Sequence, residues 1–548
     1  MARTSRVVLA VAAAASILVG CTSPSGQATP APSASSAKTV ALLKVGTQQD
    51  ESSWNPWTYS SGIPGWPVVL MQFDTLMNFD LNSEPQPWLA KEVQASADSK
   101  VWTLTLQSGV KWQDGKPFTA DDVKFTYEMF QKNVHGRFTA PVRDLDTIVV
   151  SGTDKVVINL KTPRPGFRVQ ALADIPIMPK HIWEPQLASN PDPKKFIDLQ
   201  GNIGTGPYQL VEYKPDQLYR FRANASYWKG RPLVDEILMP VVKEANATFA
   251  AIKTGELDTT VRKLQPELVK EFESAPGLKV IRGAEFDSQA LFINAERPGL
   301  NRKEVRQAID YAIDEKKLVD TVYLGYATVG APGFIHPDNP FANKAVTTYR
   351  YDVAKGNQLL DGIGAAKGAD GTRVLSGTPL KYEMLVDQSR GPLAVRLAEL
   401  ASQMLKDVGI TVTVKTVERN TWVAAAWPEF NVAKGRSFDL SMHGWSAPTQ
   451  FEAGRLIDLV NSDPILGQLN LGGFRDAAAD QLSQRLGNEG DPAKRKTLAA
   501  EMQAYIADQL PIVTIAYPDG LYAYKQATFD GWKFQKGLGV FQKNSFLP

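Results

Sequence analysis

The residue types that could support catalysis or metal binding in this chain are four histidines and one serine motif. Histidines occur at four well-separated positions, His135, His181, His336 and His443. None stands in an HExxH or HxH arrangement, which would place two ring nitrogens on one metal. The nearest match to the G-x-S-x-G nucleophile turn is Gly444-Trp445-Ser446-Ala447-Pro448, which ends in proline. We therefore expect no metal, no cofactor and no enzymatic activity.

A carboxylate pair, Asp121-Asp122, could serve as an acid and a base, but its surroundings favour a structural interpretation. The pair follows Thr119 and precedes a helix-like run from Val123 to Glu128. Threonine is a good N-cap, and acidic residues in the first turn are stabilised by the helix dipole. We expect a helix that begins after Thr119, with both aspartates in its first turn.

The first forty residues predict export and a lipid anchor. Arg3 and Arg6 precede an apolar run from Val7 to Val19, which is shorter than the roughly 20 residues that span a bilayer. Cys21, the one cysteine of the chain, comes directly after Leu18-Val19-Gly20. This order resembles a bacterial lipobox, in which the cysteine is lipidated. We predict a signal peptide at 1-20 and a lipidated, flexible tether at 21-37, rich in Ser, Pro and Ala. The protein would then be held on the outer face of the cytoplasmic membrane.

The remaining body of the chain, about 500 residues, is too long for one hydrophobic core, so we expect two or three lobes. The charge of the whole chain is nearly balanced, with 60 Lys and Arg against 58 Asp and Glu and no basic stripe. We therefore expect that the protein does not bind nucleic acid. The sequence after Val19 contains no second membrane-spanning stretch.

The segment from Trp102 to Glu128, WTLTLQSGVKWQDGKPFTADDVKFTYE, resembles the family 5 extracellular solute-binding proteins. These are the oligopeptide-, dipeptide- and nickel-type receptors of ABC importers. Further similar motifs follow in family order along the chain: Gly204-Thr205-Gly206-Pro207-Tyr208, Tyr227-Trp228-Lys229-Gly230, Val305 to Asp314 and Gly444-Trp445. The resemblance extends from about Val40 to Lys525.

The resemblance implies an α/β fold of the periplasmic-binding-protein type (type II, large three-lobe form), with a hinge and a ligand cleft between the first and third lobes. Lobe I would combine residues 38-83, 205-286 and 516-548, while 84-204 form lobe II and 287-515 form lobe III. The alternation of strand and helix patterns along the chain is consistent with α/β packing.

Ligand recognition is expected to involve aromatic and polar residues of the cleft. In peptide-binding members of the family, an aspartate after the Gly-Trp of the third lobe pairs with the ligand's amino terminus. Here that position holds Pro448 or a neutral neighbour, and the nearest carboxylate is Glu452. His443 either donates to a ligand oxygen or is a buried, satisfied histidine. The candidate ligand-binding residues are Trp54, Trp57, Trp422, His443, Trp445 and Glu452.

The sequence thus predicts a lipid-anchored substrate-binding protein of an ABC importer, working as a monomer with a permease and an ATPase. An oligopeptide is the expected solute. A neutral oligosaccharide of the cello-oligomer type is the alternative, because tryptophan faces stack well on sugar rings. An exported enzyme is disfavoured, since the chain lacks nucleophile and metal motifs.

Overall fold

The computed structural model describes residues 39–50, 55–57, 65–133, 135, 137–196 and 203–548. The predicted signal peptide, the tether, Cys21 and Trp54 lie outside these residues. Three large sheets organise the described chain, and we name the regions around them by their strand numbers.

The seven-stranded region is built from distant parts of the sequence. Its first strand, Val40–Gly46, pairs in parallel with Val234–Pro240 and with Thr259–Thr260. The sheet is completed on its two sides by antiparallel pairs, so that segments more than 400 residues apart share one sheet. In sheet order the strands are Leu278–Gly283, Gly520–Lys525, Thr259–Thr260, Val40–Gly46, Val234–Pro240, Leu218–Ala223 and Tyr208–Lys214.

The four-stranded region contains the motif segment that begins at Trp102. The strand Val101–Leu106 alternates between buried and more exposed side chains, as a half-buried strand should. Its neighbours are antiparallel, and the sheet order is Ala90–Ala95, Val101–Leu106, Lys155–Leu160 and Leu145–Ser151.

The six-stranded region is a mixed sheet. Its strand Lys381–Asp387 pairs in parallel with both of its neighbours, while Gln289–Ile293 pairs antiparallel with the strands beside it. The sheet order is Ala327–Val329, Ile512–Pro518, Gln289–Ile293, Leu440–His443, Lys381–Asp387 and Thr411–Val417. Two smaller sheets are formed by Met77–Phe79 with Pro85–Pro87, and by Ala366–Lys367, Arg373–Leu375 and Thr378–Pro379.

Helices pack on these sheets and bury their apolar faces in the cores. The helix predicted to start after Thr119 is observed as Ala120–Lys132, with Thr119 as N-cap. The other α-helices are Gly65–Gln72, Thr139–Val142, Lys180–Ser189, Ala245–Thr254, Val269–Ser274, Lys303–Ala312, Glu315–Val322, Val353–Gly362, Pro392–Leu405, Arg419–Ala426, Ile457–Val460, Ala477–Asn488, Pro492–Gln509 and Lys543–Phe546.

The chain crosses between the seven-stranded and six-stranded regions at two places. One crossing joins Leu278–Gly283 to Gln289–Ile293, and the other joins Ile512–Pro518 to Gly520–Lys525. Two short connections of this kind are suited to act as a hinge. The three predicted lobes and their boundaries stay a prediction; the strand Ile512–Pro518 of the six-stranded sheet runs past residue 515, where lobe III was predicted to end.

Candidate functional site

A cavity of about 1710 Å³ lies where the four-stranded and six-stranded regions face each other. One wall is formed by residues between 135 and 194, and the other by residues between 389 and 495. Trp57 and Phe79 are the lining residues that come from the range predicted for lobe I. The cavity thus lies mainly between the ranges predicted for lobes II and III, and not between lobes I and III as expected. The two regions touch beside the cavity, where Gln170 Nε2 lies 3.4 Å from Glu452 Oε2.

The end of the strand Leu440–His443 carries His443 and Trp445 into the wall of the cavity. Gly444 between them lies so close to the Ser288 carbonyl that a side chain would not fit. The Trp445 backbone is fixed from both sides, since its N–H donates to Ser288 Oγ at 3.1 Å and its carbonyl accepts from Ser288 N at 2.9 Å. The backbone therefore holds both aromatic side chains in place.

Trp422 supports His443 and is not among the residues that line the cavity. It is fully buried, its ring stacks on His443 with centroids 4.1 Å apart, and its Nε1 donates to Ser441 Oγ at 2.8 Å. Trp427, which follows the same helix, does line the cavity and packs edge-on against Trp445 at 5.4 Å. Of these two tryptophans, only Trp427 therefore has access to a ligand.

Burial and charge keep His443 neutral. Burial lowers its pKa well below 6.5, and the guanidinium groups of Arg390 and Arg419 lower it further. Its Nδ1 has no hydrogen-bond partner among the described residues. A neutral imidazole donates from one ring nitrogen and accepts at the other, and in His443 the unpaired Nδ1 is itself buried.

Trp57 lines the cavity with only part of its ring available. One face stacks on Phe130, with centroids 4.4 Å apart and planes 10° apart, and its edge meets His135 at 5.5 Å. The residue is 4% exposed. Only a small part of Trp57 can therefore contact a ligand.

Glu452 lines the cavity but already has strong partners. Arg495 donates to its carboxylate from Nε at 3.0 Å and also from Nη2, and Gly454 N donates at 2.9 Å. Glu452 and Arg495 are both buried. Recruiting Glu452 to a ligand would weaken an ion pair whose separation in a buried setting is costly.

Several arginines of the lining were not predicted from the sequence. Arg137 pairs with Asp174, and Arg164 pairs with Asp144, in the four-stranded wall. Arg455 lies 2.8 Å from Asp458 in the opposite wall. The run Thr162-Pro163-Arg164-Pro165-Gly166 is a loop signal that could have indicated a cleft residue, whereas the others lack a local signature.

Asp458 has a perturbed pKa. Burial raises it from 3.8 to about 6, against the opposing effects of Arg455, Arg143 and Arg164. These arginines come from both walls, so positive charges of both regions act on the Asp458 carboxylate. Perturbed carboxyl groups in clefts are common at functional sites.

The sequence family "Bacterial extracellular solute-binding proteins, family 5 Middle" matches residues 84–463. The chain belongs to this family. Family 5 members are extracytoplasmic. The predicted resemblance is thereby confirmed, and with it a transport class of protein.

Named relatives of this family 5 chain extend over most of its length. It is 25% identical over 502 residues to the oligopeptide-binding protein AppA of Bacillus subtilis, covering 90% of this chain and 89% of AppA. It is 26% identical over 517 residues to a dipeptide-binding protein of Pseudomonas aeruginosa, covering 90% and 92%.

Solved structures confirm the predicted periplasmic-binding-protein fold. NikZ from Campylobacter jejuni, in complex with Ni(L-His), is 26% identical with a TM-score of 0.75, covering 92% of this chain and 97% of NikZ. The substrate-binding protein CtaP from Listeria monocytogenes superposes with a TM-score of 0.80 at 23% identity, covering 93% and 100%.

Metal-binding clusters and membrane-spanning helices are both absent from the described residues of this family 5 chain. Within them, no group of three or more His, Cys, Asp or Glu side chains is arranged to hold a metal ion. None of the described helices combines the length and apolar character required to span a bilayer.

Proposed function

We propose that this chain is the substrate-binding lipoprotein of an ABC importer and that it captures an oligopeptide-type solute for the permease. The observation that carries the proposal is the large cavity between two regions of a family 5 chain. Relatives that cover about nine-tenths of the chain are named as oligopeptide- and dipeptide-binding proteins.

The size of the cavity supports an extended ligand. Small-molecule sites usually enclose about 300–1,000 Å³. The cavity here, about 1710 Å³, exceeds that range. A peptide of several residues uses this space better than one amino acid or a compact metal chelate.

The composition of the walls also suits a peptide. Trp57, Trp445 and Trp427 offer apolar surface for side chains, and His443 lines the same cavity. Arg390 and Arg419 supply positive charge beside His443. Contacts of these kinds hold a peptide mainly through general features, which suits a receptor for varied sequences.

Closure of the regions around the ligand is the event that the permease would recognise. A ligand shifts an open–closed equilibrium only if it binds the closed form more tightly. Residues of both walls meet the same cavity, so a bound ligand contacts both regions at once. The short crossings at 284–288 and at Asp519 are the proposed hinge.

Lipidation of Cys21 would keep the receptor close to its permease. Lipid chains on one residue, followed by a flexible tether, give stable attachment with freedom to move. Cys21→Ser is expected to release the protein from membranes while leaving the ligand affinity unchanged. Fractionation of cells with an antibody to the folded domain would detect the release, and continued membrane retention would contradict the anchor.

A ligand screen tests the solute assignment. Residues 39–548 form a compact unit by themselves, so a protein starting at Lys38 is suitable for thermal-shift and calorimetric titrations. Peptides of four to nine residues should raise its melting temperature. At a concentration 100 times Kd the stabilisation should reach about 2.7 kcal/mol. Stabilisation by cello- or xylo-oligosaccharides, and not by peptides, would instead establish the oligosaccharide alternative.

A further inference from the structure

Three exposed apolar side chains share one wall of the cavity. Among the described residues, nine large hydrophobic residues are exposed to solvent, and three of these line the cavity: Phe430 (60% exposed), Ile465 (61%) and Leu466 (42%). All three belong to the wall formed by residues between 389 and 495. Single hydrophobic residues on a surface are ordinary, but several in one concave site indicate a surface that binds an apolar partner.

A strained turn presents Phe430 at this wall. Glu429 (φ 54°) and Phe430 (φ 55°) both have left-handed backbone conformations, which are unfavourable for residues with a Cβ atom. Hydrogen bonds hold the turn, since Phe430 N donates to the Trp427 carbonyl and Asn431 N donates to the Pro428 carbonyl, both at 2.9 Å. The Phe430 ring packs edge-on against Trp427, with centroids 5.3 Å apart. Strain of this kind is concentrated at functional positions, and here it keeps an apolar ring exposed in the cavity wall.

Ile465 and Leu466 occupy the tip of a second fixed turn. The Asp463 carboxylate accepts a hydrogen bond from Ile465 N at 2.8 Å. The Asp463 carbonyl accepts from Leu466 N at 3.0 Å and from Gly467 N at 2.7 Å. Gly467 lies so close to the Asn461 carbonyl that a side chain would not fit. Backbone contacts therefore hold this turn, and its two apolar side chains remain exposed.

The position of these residues favours an extended peptide over a folded protein as their partner. The two walls of the cavity touch at one side, where Gln170 Nε2 lies 3.4 Å from Glu452 Oε2. A peptide chain can enter a space of about 1710 Å³ between such walls, whereas a folded domain cannot. The opposite wall contributes charged side chains, among them Arg137, Arg143 and Arg164. A peptide in the cavity would thus meet charged groups on one side and exposed apolar side chains on the other.

We propose that the ligand is a peptide with large apolar side chains, of the leucine, isoleucine or phenylalanine type, which pack on Phe430 and on Ile465 and Leu466. The inference rests on the proposed peptide-binding function and narrows its ligand class. Binding there removes water from exposed hydrophobic surface of both molecules, which is the driving force for the contact. Two fixed apolar points in one wall select the type of side chain without requiring a particular sequence.

A competition between two peptide pools tests the ligand class. Both pools contain alanine hexapeptides with identical termini, in which two positions vary among Leu, Ile and Phe in one pool and among Ser, Asn and Gln in the other. Equal amounts are mixed with the full-length protein, and native mass spectrometry identifies the retained peptides. We expect the apolar peptides to be retained about tenfold over the polar ones, because they bury hydrophobic surface at the wall. Equal retention, or a preference for the polar pool, would overturn the inference and leave peptide binding intact. Retention of neither pool would refute the proposed peptide function and this inference with it.

Phe430→Asn removes the apolar ring without adding strain to the fold. Asparagine adopts the left-handed conformation more readily than phenylalanine, so the variant should melt at or above the temperature of the parent protein. We expect the preference for apolar peptides to fall to about threefold or less. Leu324→Asn is the matched control, since Leu324 has a φ of 52°, is 54% exposed and lies outside the cavity lining. Its preference should equal that of the parent, and a loss in both variants or in neither would contradict contact between Phe430 and the ligand.

Ile465→Ser tests the second contact point. We expect it to lower the preference for apolar peptides about threefold. Val149→Ser is the control, since Val149 is 55% exposed in the strand Leu145–Ser151 and lies outside the cavity lining. The polar peptides do not depend on the lost apolar surface, so their affinity should stay within about twofold of the parent value in every variant. Equal losses for polar and apolar peptides would show a disturbance of the whole cavity and would overturn the assignment of these side chains as selective contacts.

Discussion

At the scale of single residues, hydrogen-bond partners distinguish tryptophans that look equivalent in the sequence. Trp422 and Trp445 both lie in the six-stranded region and were both predicted to bind ligand. The Trp422 indole N–H is taken by Ser441, whereas the Trp445 indole N–H is unpaired beside the cavity. The first residue positions His443, and the second is available to a ligand. Pairing between segments 19 residues apart cannot be read from composition or spacing.

His336 provides a prediction about stability and pH. It is buried between Phe286 and Tyr517, and burial lowers its pKa from 6.5 to about 4. The unfolded chain therefore binds a proton at this position before the folded chain does. The folded state should lose stability as pH falls from about 6.5 toward 4, by about 3 kcal/mol at the lower limit for this group.

His336→Asn tests this contribution. The amide oxygen of asparagine can replace Nδ1 as the acceptor for Asp338 N–H, a bond of 3.0 Å. Urea unfolding at pH 7.5 and pH 4.5 should show a smaller acid loss in the variant, by about 2 to 3 kcal/mol. If the free energy of unfolding fell equally with pH in the two proteins, His336 would not be the source of the acid loss.

The sequence predicted some residues of the cavity wall but not the partners of their polar groups. Trp57, His443, Trp445 and Glu452 do line the cavity. Arg495, which donates to the Glu452 carboxylate, lies 43 residues further along the chain. The sequence therefore could not indicate that this carboxylate is paired. Only the folded arrangement shows which polar groups are satisfied.

At the scale of elements, local patterns were reliable wherever a few neighbouring residues determine the conformation. The helix after Thr119 begins where its N-cap and acidic first turn predict. Asp122 is more than a first-turn charge, because it accepts hydrogen bonds from Thr119 N at 2.9 Å and from Lys180 N at 3.0 Å. It thereby ties the start of one helix to the start of Lys180–Ser189.

Asp122 and Asp121 give a matched pair of substitutions. Asp122 is 5% exposed, and Asp122→Ala leaves the half-buried N–H groups of Thr119 and Lys180 without their acceptor. We expect a loss of about 2 to 3 kcal/mol in the free energy of unfolding. Asp121 is exposed in the same turn, and Asp121→Ala should cost less than about 1 kcal/mol. Thermal and urea denaturation of both variants provide the measurement, and equal losses would show that the interhelix bonds contribute little.

At the scale of the whole molecule, the assembly of sheets depends on contacts between distant segments. Strand Val40–Gly46 finds its partners about 190 to 210 residues later, and Gly520–Lys525 completes the same sheet. Alternation and turn signals cannot determine such pairings, since each strand pattern is compatible with many neighbours. The family resemblance, and not local periodicity, predicted the discontinuous arrangement.

Contact between the four-stranded and six-stranded regions depends on two glycines. A Cβ atom at Gly166 would lie 2.9 Å from Glu452 Oε2. At Gly490 it would collide with the Ala97 carbonyl and lie 3.0 Å from Ser99 Oγ. Backbone atoms cannot yield as a flexible side chain does, so Gly490 lets the two regions approach more closely than a residue with a side chain would.

Gly490→Ala should consequently hinder closure over the ligand. We expect the affinity for peptides that stabilise the parent protein to fall about tenfold, equivalent to about 1.4 kcal/mol, as the closed state becomes harder to reach. Small-angle X-ray scattering should show a larger radius of gyration for the ligand-saturated variant. Gly362→Ala is the control, because a Cβ there meets no atom within 4 Å. If both variants bind and scatter alike, the contact at Gly490 does not limit closure, and the two regions must approach each other through other surfaces.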